Sequence, residues 1–278
     1  MRKILFLLFA VVLLSGCSGK SGEDKRPVLV VSIEPYRYFV NQIAGERFRV
    51  LTLVPGNSSP ETYEPTPQQM LDLMNSSAYL SSGYIDFERT RLRQITKEAP
   101  SFPVFNLSSG VRTLRDSDGD GVDPHIWLST RNAKVIAQNI CSALCVVDSV
   151  NSDEYRQREA AFLQHIDSID GQIQQIVGNL ARRSFLIYHP ALAYFANDYG
   201  LLQLPVSAGG KEASPAHIET LLSQSKTERA GVLFVQKQYP ASIVRQIARE
   251  AEVKIVEIDP LTYQWDEEMI FIAKRISE

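Results

Sequence analysis

The sequence predicts an α/β fold of two lobes, each a parallel-rich sheet flanked by helices, joined by one long rigid helix. Three observations carry this. Short apolar, β-branched runs alternate with segments of helical period from Val28 to Leu107. The same alternation restarts at Ser184 and continues to Ile258. Between them, Ser152 to Ala181 contains no proline and repeats apolar residues at three- and four-residue steps.

The chain begins outside this fold. Arg2 and Lys3 precede an apolar run from Ile4 to Leu14, which is too short to span a bilayer and ends in Leu14-Ser-Gly-Cys17. That is a secretory signal over residues 1–16. Its end resembles the lipobox of bacterial lipoproteins, which implies cleavage before Cys17 and lipid attached to it. Residues 17–26, rich in Ser, Gly and charge, then read as a flexible leash to a membrane surface.

Val28 to Ile33 reads as a strand and Tyr36 to Ala44 as a helix stopped by Gly45. Phe48 to Val54 is a second strand, and the proline-rich stretch from Pro55 to Pro67 is a loop. Helices over Gln68–Asn75 and Glu88–Ala99 alternate with strands over Ala78–Ser82 and Val104–Leu107. A helix over Asn132–Val147 completes residues 27–150. Its Ala137, Ile140, Cys141, Leu144 and Cys145 share one face, so both cysteines read as core; an i, i+4 disulfide would strain the helix.

Residues 151–181 form the connecting helix, about 45 Å long at 1.5 Å per residue. In residues 182–278, strands over Ser184–Tyr188, Gly231–Val235 and Val253–Ile258 alternate with helices over Ala191–Tyr199, Ser214–Ser225 and Pro240–Ala251. This pattern requires parallel strands, because each crossover is a helix.

The 278 residues, 44% of them hydrophobic, suffice for two cores and exclude a disulfide-stapled mini-protein. Removing residues 1–16 leaves 27 basic against 32 acidic side chains. No whole-chain positive field exists to attract nucleic acid.

Ligands in open α/β sheets collect beyond the carboxyl ends of the strands, so polar residues following each strand are the candidates. These are Glu61 in Pro60-Glu-Thr-Tyr-Glu-Pro65, His125 in Asp123-Pro-His-Ile-Trp-Leu128, His189 before Pro190, and Asp259 before Pro260. Two imidazoles and two carboxylates make a borderline N/O shell, suited to zinc or manganese and too poor in oxygen for calcium. Separations of 64, 64 and 70 residues do not by themselves bring the four together. A lone histidine is otherwise a hydrogen-bonded structural residue, and the Asp of Asp-Pro a turn former.

The order of Val30-Val-Ser-Ile-Glu-Pro-Tyr36, Gly45-Glu-Arg-Phe-Arg-Val50, Pro60-Glu-Thr-Tyr-Glu-Pro65, Asp123-Pro-His-Ile-Trp-Leu-Ser129, His189 with Tyr194-Phe195, and Asp259-Pro-Leu261 resembles the zinc/manganese solute-binding lipoproteins of ABC transporters. The resemblance covers nearly all of the chain after the signal. It implies two α/β lobes, a long connecting helix and a metal site in the cleft between the lobes. His125, His189 and Asp259 match family ligand positions. Glu61 stands where the family has histidine, which hardens the site toward manganese or ferrous iron or leaves three ligands completed by water. Glu212 falls where manganese-binding members place a glutamate ligand; otherwise it is a loop carboxylate near a helix start.

Asp116-Ser-Asp-Gly-Asp-Gly121 imitates half an EF-hand, but Trp127 occupies position twelve, so it reads as an acidic loop. His165 and His217 lie away from strand ends and read as structural or solvent-facing.

The resemblance thus implies an extracytoplasmic, lipid-anchored protein of the cell envelope. It carries Zn²⁺, with Mn²⁺ or ferrous iron as the alternative, to an ABC permease and is not an enzyme. A metallohydrolase would need an open water position, and the sequence has no His-Glu-x-x-His stretch. A chelate- or haem-binding pocket would need aromatic or basic cover.

Overall fold

The computed structural model describes residues 24–56, 58–116, 121–207, 214–236 and 241–278. Cys17, Glu212 and residues 117–120 of the acidic loop lie outside these. β1 (Val28–Val31), β2 (Arg49–Thr52), β3 (Ala78–Ser81) and β4 (Val104–Asn106) form one parallel sheet in the order β2-β1-β3-β4. β5 (Ser184–Ile187), β6 (Leu202–Pro205), β7 (Val232–Gln236) and β8 (Lys254–Ile258) repeat that order as β6-β5-β7-β8.

α1 (Glu34–Ala44) links β1 to β2, α2 (Pro67–Met74) links β2 to β3, and α3 (Asp86–Glu98) links β3 to β4. α1 starts two residues before the expected Tyr36, because Pro35 is tolerated in a first turn whose N–H groups have no helical partner. Thr66 and Gln69 form a reciprocal capping box on α2. α4 (Thr130–Val147) follows, capped by the Ser129 hydroxyl on Asn132 N–H. Its Cys141 is buried, and neither Cys141 nor Cys145 is in a disulfide.

α5 (Ser152–Val177) is the long helix. Its 26 residues make it about 39 Å long, shorter than the expected run to Ala181. It ends at Gly178, where Arg183 Nη1 reaches back to Val177 O and turns the chain into β5. Tyr155, Phe162, Ile166, Ile169, Ile173 and Val177 form its buried stripe. α6 (Ala193–Tyr199), α7 (Pro215–Thr227) and α8 (Ala241–Ala251) surround the second sheet, and α9 (Trp265–Ser277) closes the chain against α5.

Two elements were absent from the expected set. β6 is a four-residue edge strand ending in proline, with little alternation to mark it. α9 carries a plain helical stripe of Trp265, Met269, Ile272, Ala273 and Ile276, beyond the last strand of the alternation.

Successive residues of β5 serve different cores, as strand pleating requires. Phe185 and Ile187 join a core continuous with the first sheet, α4, α5 and α9. Leu186 joins a smaller one with Leu204, Leu221, Leu233, Val244 and Ile247 under α7 and α8. One apolar interior therefore runs through both sheets.

Candidate metal centre

In the strand order 2-1-3-4 the topology switches beside the first strand, and a crevice opens at the carboxyl ends there. In the second sheet the switch lies between β5 and β7, which deliver His189 and Gln236. In the first half, the loop after β2 carries Glu61, and the loop ahead of a 3₁₀ turn (Ile126–Leu128) carries His125.

These loops are fixed by bonds crossing between the halves. Trp127 Nε1 donates to Pro260 O and Trp265 Nε1 to Trp127 O, both at 2.8 Å. The Tyr194 hydroxyl on α6 donates to Asp123 O at 2.8 Å and accepts from Leu114 N at 3.0 Å. The Thr130 hydroxyl donates to Asp170 of α5 and pairs with the Tyr199 hydroxyl of α6.

His125 Nε2 and His189 Nε2 stand 3.3 Å apart; Glu61 Oε1 is 3.2 Å from His189 Nε2 and 3.8 Å from His125 Nε2. Both histidines are buried, and Glu61 is about two-thirds so. A tetrahedral ion with bonds of 2.0–2.1 Å separates its ligand atoms by about 3.3 Å, so this triangle matches three corners of a zinc shell. Among the described residues it is the one such group of His, Cys, Asp or Glu side chains.

Asp123 Oδ1 sits 2.8 Å from both the His125 backbone N–H and the His125 Nδ1. A proton held on Nδ1 leaves the Nε2 lone pair facing the triangle. Burial disfavours a charged His125, but the charge and hydrogen bond of Asp123, with Glu61 behind them, outweigh it and raise the pKa. Burial likewise opposes the ionisation of Glu61; its bond to His189 and the charges of both imidazoles prevail and lower its pKa.

Asp259 lines the same small cavity as the two histidines but does not join the triangle. Its backbone N–H is taken by Glu268 Oε1 of α9 at 2.8 Å, and its Oδ1 accepts from Leu261 N–H at 3.2 Å. Both bonds are those of a turn at the cavity wall. Asp123 and Gln236 were missing from the sequence candidates. Both stand at the loop or strand ends that the crevice rule marks, Asp123 two residues before His125 and Gln236 as the last residue of β7.

His165 is exposed at the α5–α9 contact, 2.8 Å from Asp266 Oδ2, and His217 Nε2 lies 3.2 Å from Pro205 O; both are remote from the centre. A wider cavity of about 380 Å³, bordered by Glu61, Tyr84, Arg89, Asp116 and Asp123, leads from the triangle to solvent.

Residues 29–273 match the family described as zinc-uptake complex component A, periplasmic (ZnuA). The chain belongs to that family. A crystal structure of ZnuA aligns with it at a TM-score of 0.85 and 33% identity, over 91% of this chain and 98% of the other. A Chlamydia trachomatis protein named "Putative metal-binding protein" is 30% identical over 221 residues, 78% of each chain. The Streptococcus pneumoniae manganese ABC transporter substrate-binding lipoprotein PsaA is 24% identical, over 90% of this chain and 84% of its own. Residues 1–18 match a prokaryotic membrane lipoprotein attachment site.

This ZnuA-family chain is therefore a metal-binding solute-binding lipoprotein of an ABC metal-uptake system, extracytoplasmic and anchored at the membrane. The family consists of substrate-binding proteins rather than enzymes. No helix among the described residues is long and apolar enough to cross a membrane.

Proposed function

We propose that the protein captures Zn²⁺ on Glu61, His125 and His189 and delivers it to the membrane permease of its transporter. The observation that carries this is the triangle of ligand atoms at 3.2, 3.3 and 3.8 Å, with two of three corners imidazole. Asp259 faces the same cavity and adds negative charge from its wall. Glu212, outside the described residues, is a further carboxylate for the loaded site. In the arrangement proposed, 27–150 and 182–278 are the lobes and 151–181 the strut; Cys17 holds the lipid, and 17–26 is the leash.

Manganese is the second reading, and Glu61 is the observation that favours it, because a carboxylate replaces a softer imidazole. Titrating Zn²⁺ and Mn²⁺ separately into metal-stripped, detergent-solubilised protein, followed by calorimetry, decides between them. The zinc reading expects one ion per chain and Zn²⁺ the tighter. Tighter Mn²⁺ selects the second reading, and binding of neither removes both. Glu61→His is expected to move the preference further toward Zn²⁺.

A further inference from the structure

Gln236 ends β7 at the switch point of the second sheet and is 5% exposed. Its Nε2 donates to His189 O at 3.3 Å. That bond fixes which way the amide faces, since a flipped amide would set oxygen against oxygen. Its Oε1 is buried and has no hydrogen-bond partner among the described residues. A buried acceptor left unmade is costly, and such atoms ordinarily have partners.

Gln236 lines a cavity of about 40 Å³ together with His125, His189 and Asp259. That space is enough for a water molecule, and its walls are polar where Gln236 and Asp259 meet it. Among the described residues the proposed zinc shell has three protein corners, which leaves one for a water. A water on the ion spends one lone pair on the metal and is left with two acidified hydrogens to donate, so two acceptors hold it.

We infer that Gln236 is a positioning residue for the cargo: its Oε1, with the Asp259 carboxylate, holds the water that completes the shell set by Glu61, His125 and His189. This rests on the metal reading above. A carboxamide offers one acceptor beside His189 without adding charge to the interior. The unmet acceptor is a cost borne by the metal-free protein and relieved on loading.

The test is Gln236→Met, which keeps the chain length and removes the acceptor, in full-length protein in detergent. Zn²⁺ affinity by calorimetry is expected to fall about tenfold to a hundredfold, the range for outer partners of metal ligands. The metal-free variant is expected to melt close to wild type, because it loses the unmet acceptor together with the Nε2 bond to His189 O, and that carbonyl keeps the Ala191 N–H as a donor. Affinity within twofold of wild type overturns the inference, as does a weakened affinity accompanied by a clear loss of metal-free stability. A second measurement uses wild type alone: azide titrated into Co²⁺-loaded protein should displace the water and change the visible spectrum. A spectrum indifferent to azide overturns the inference while leaving the metal reading intact. Wild type that binds neither Zn²⁺ nor Co²⁺ overturns both, and that outcome is distinguished by the failure of the parent protein.

Discussion

His125 shows how one neighbour decides what an imidazole can do. Asp123 fixes its tautomer, so Asp123→Asn should weaken Zn²⁺ binding by tenfold to a hundredfold while all three ligands remain. His125→Ala and His189→Ala should weaken it further in the same calorimetric titration, each removing a corner of the triangle. Asp123 also raises the pKa of His125, so the proton competes with the ion across a wider range. The sign is definite: only the neutral imidazole binds metal, so affinity falls as pH drops through that raised value, by about tenfold per unit for one proton. A Zn²⁺ affinity flat from pH 8 to pH 5 would show that His125 is not a ligand. Glu61, His125 and His189 were legible because each follows a strand or precedes a turn at the crevice. The bond from the Asp259 backbone N–H to Glu268 was not, because Glu268 stands on a helix the alternation did not reveal.

At the level of elements, α9 is the clearest case of a signal present and unread. Its stripe and its acidic first turn are in the sequence, but what fixes it is tertiary. Asp266 in that first turn accepts from the Tyr38 hydroxyl of α1 and pairs with His165 of α5, each at 2.8 Å. Burial works against its charge, yet His165 and Tyr38 hold its pKa below the usual value. A depressed carboxylate contributes stability above its unfolded pKa and loses it as pH falls through the folded one. Asp266→Asn should therefore cost about 1 kcal/mol at neutral pH in denaturant unfolding, a difference that closes as pH falls through the lowered folded value. In α5, Gly171 sits mid-helix with open space where a Cβ would stand. Gly171→Ala should stabilise by about 0.5–1 kcal/mol, and calorimetric Zn²⁺ affinity should not change, the strut being already helical without it.

For the molecule as a whole, the decisive fact is the apolar interior shared by both sheets, α4, α5 and α9. Two lobes that swing apart on a hinge would have to split that interior. The two-lobed architecture was legible from the doubled alternation, but nothing in the sequence showed that the lobes share a core, because face assignments across 100 residues depend on packing. Metal should raise the melting temperature by mass action, about 4 kcal/mol of stabilisation at a thousandfold excess over Kd. It should leave the small-angle scattering profile nearly unchanged. A marked compaction on loading would show a hinged closure instead.

The parallel strands give the molecule a polarity. Pro27 enters β1 at the amino edge of the first sheet, whereas the triangle of Glu61, His125 and His189 sits beyond the opposite, carboxyl edge. The proposed leash, ten residues from Cys17 to Arg26, reaches about 34 Å when fully extended. In the delivery proposed above, a leash of that reach would leave the molecule free to turn its carboxyl-edge mouth toward a permease in the same surface. Leash length would then set the local concentration of correctly turned carriers at that permease.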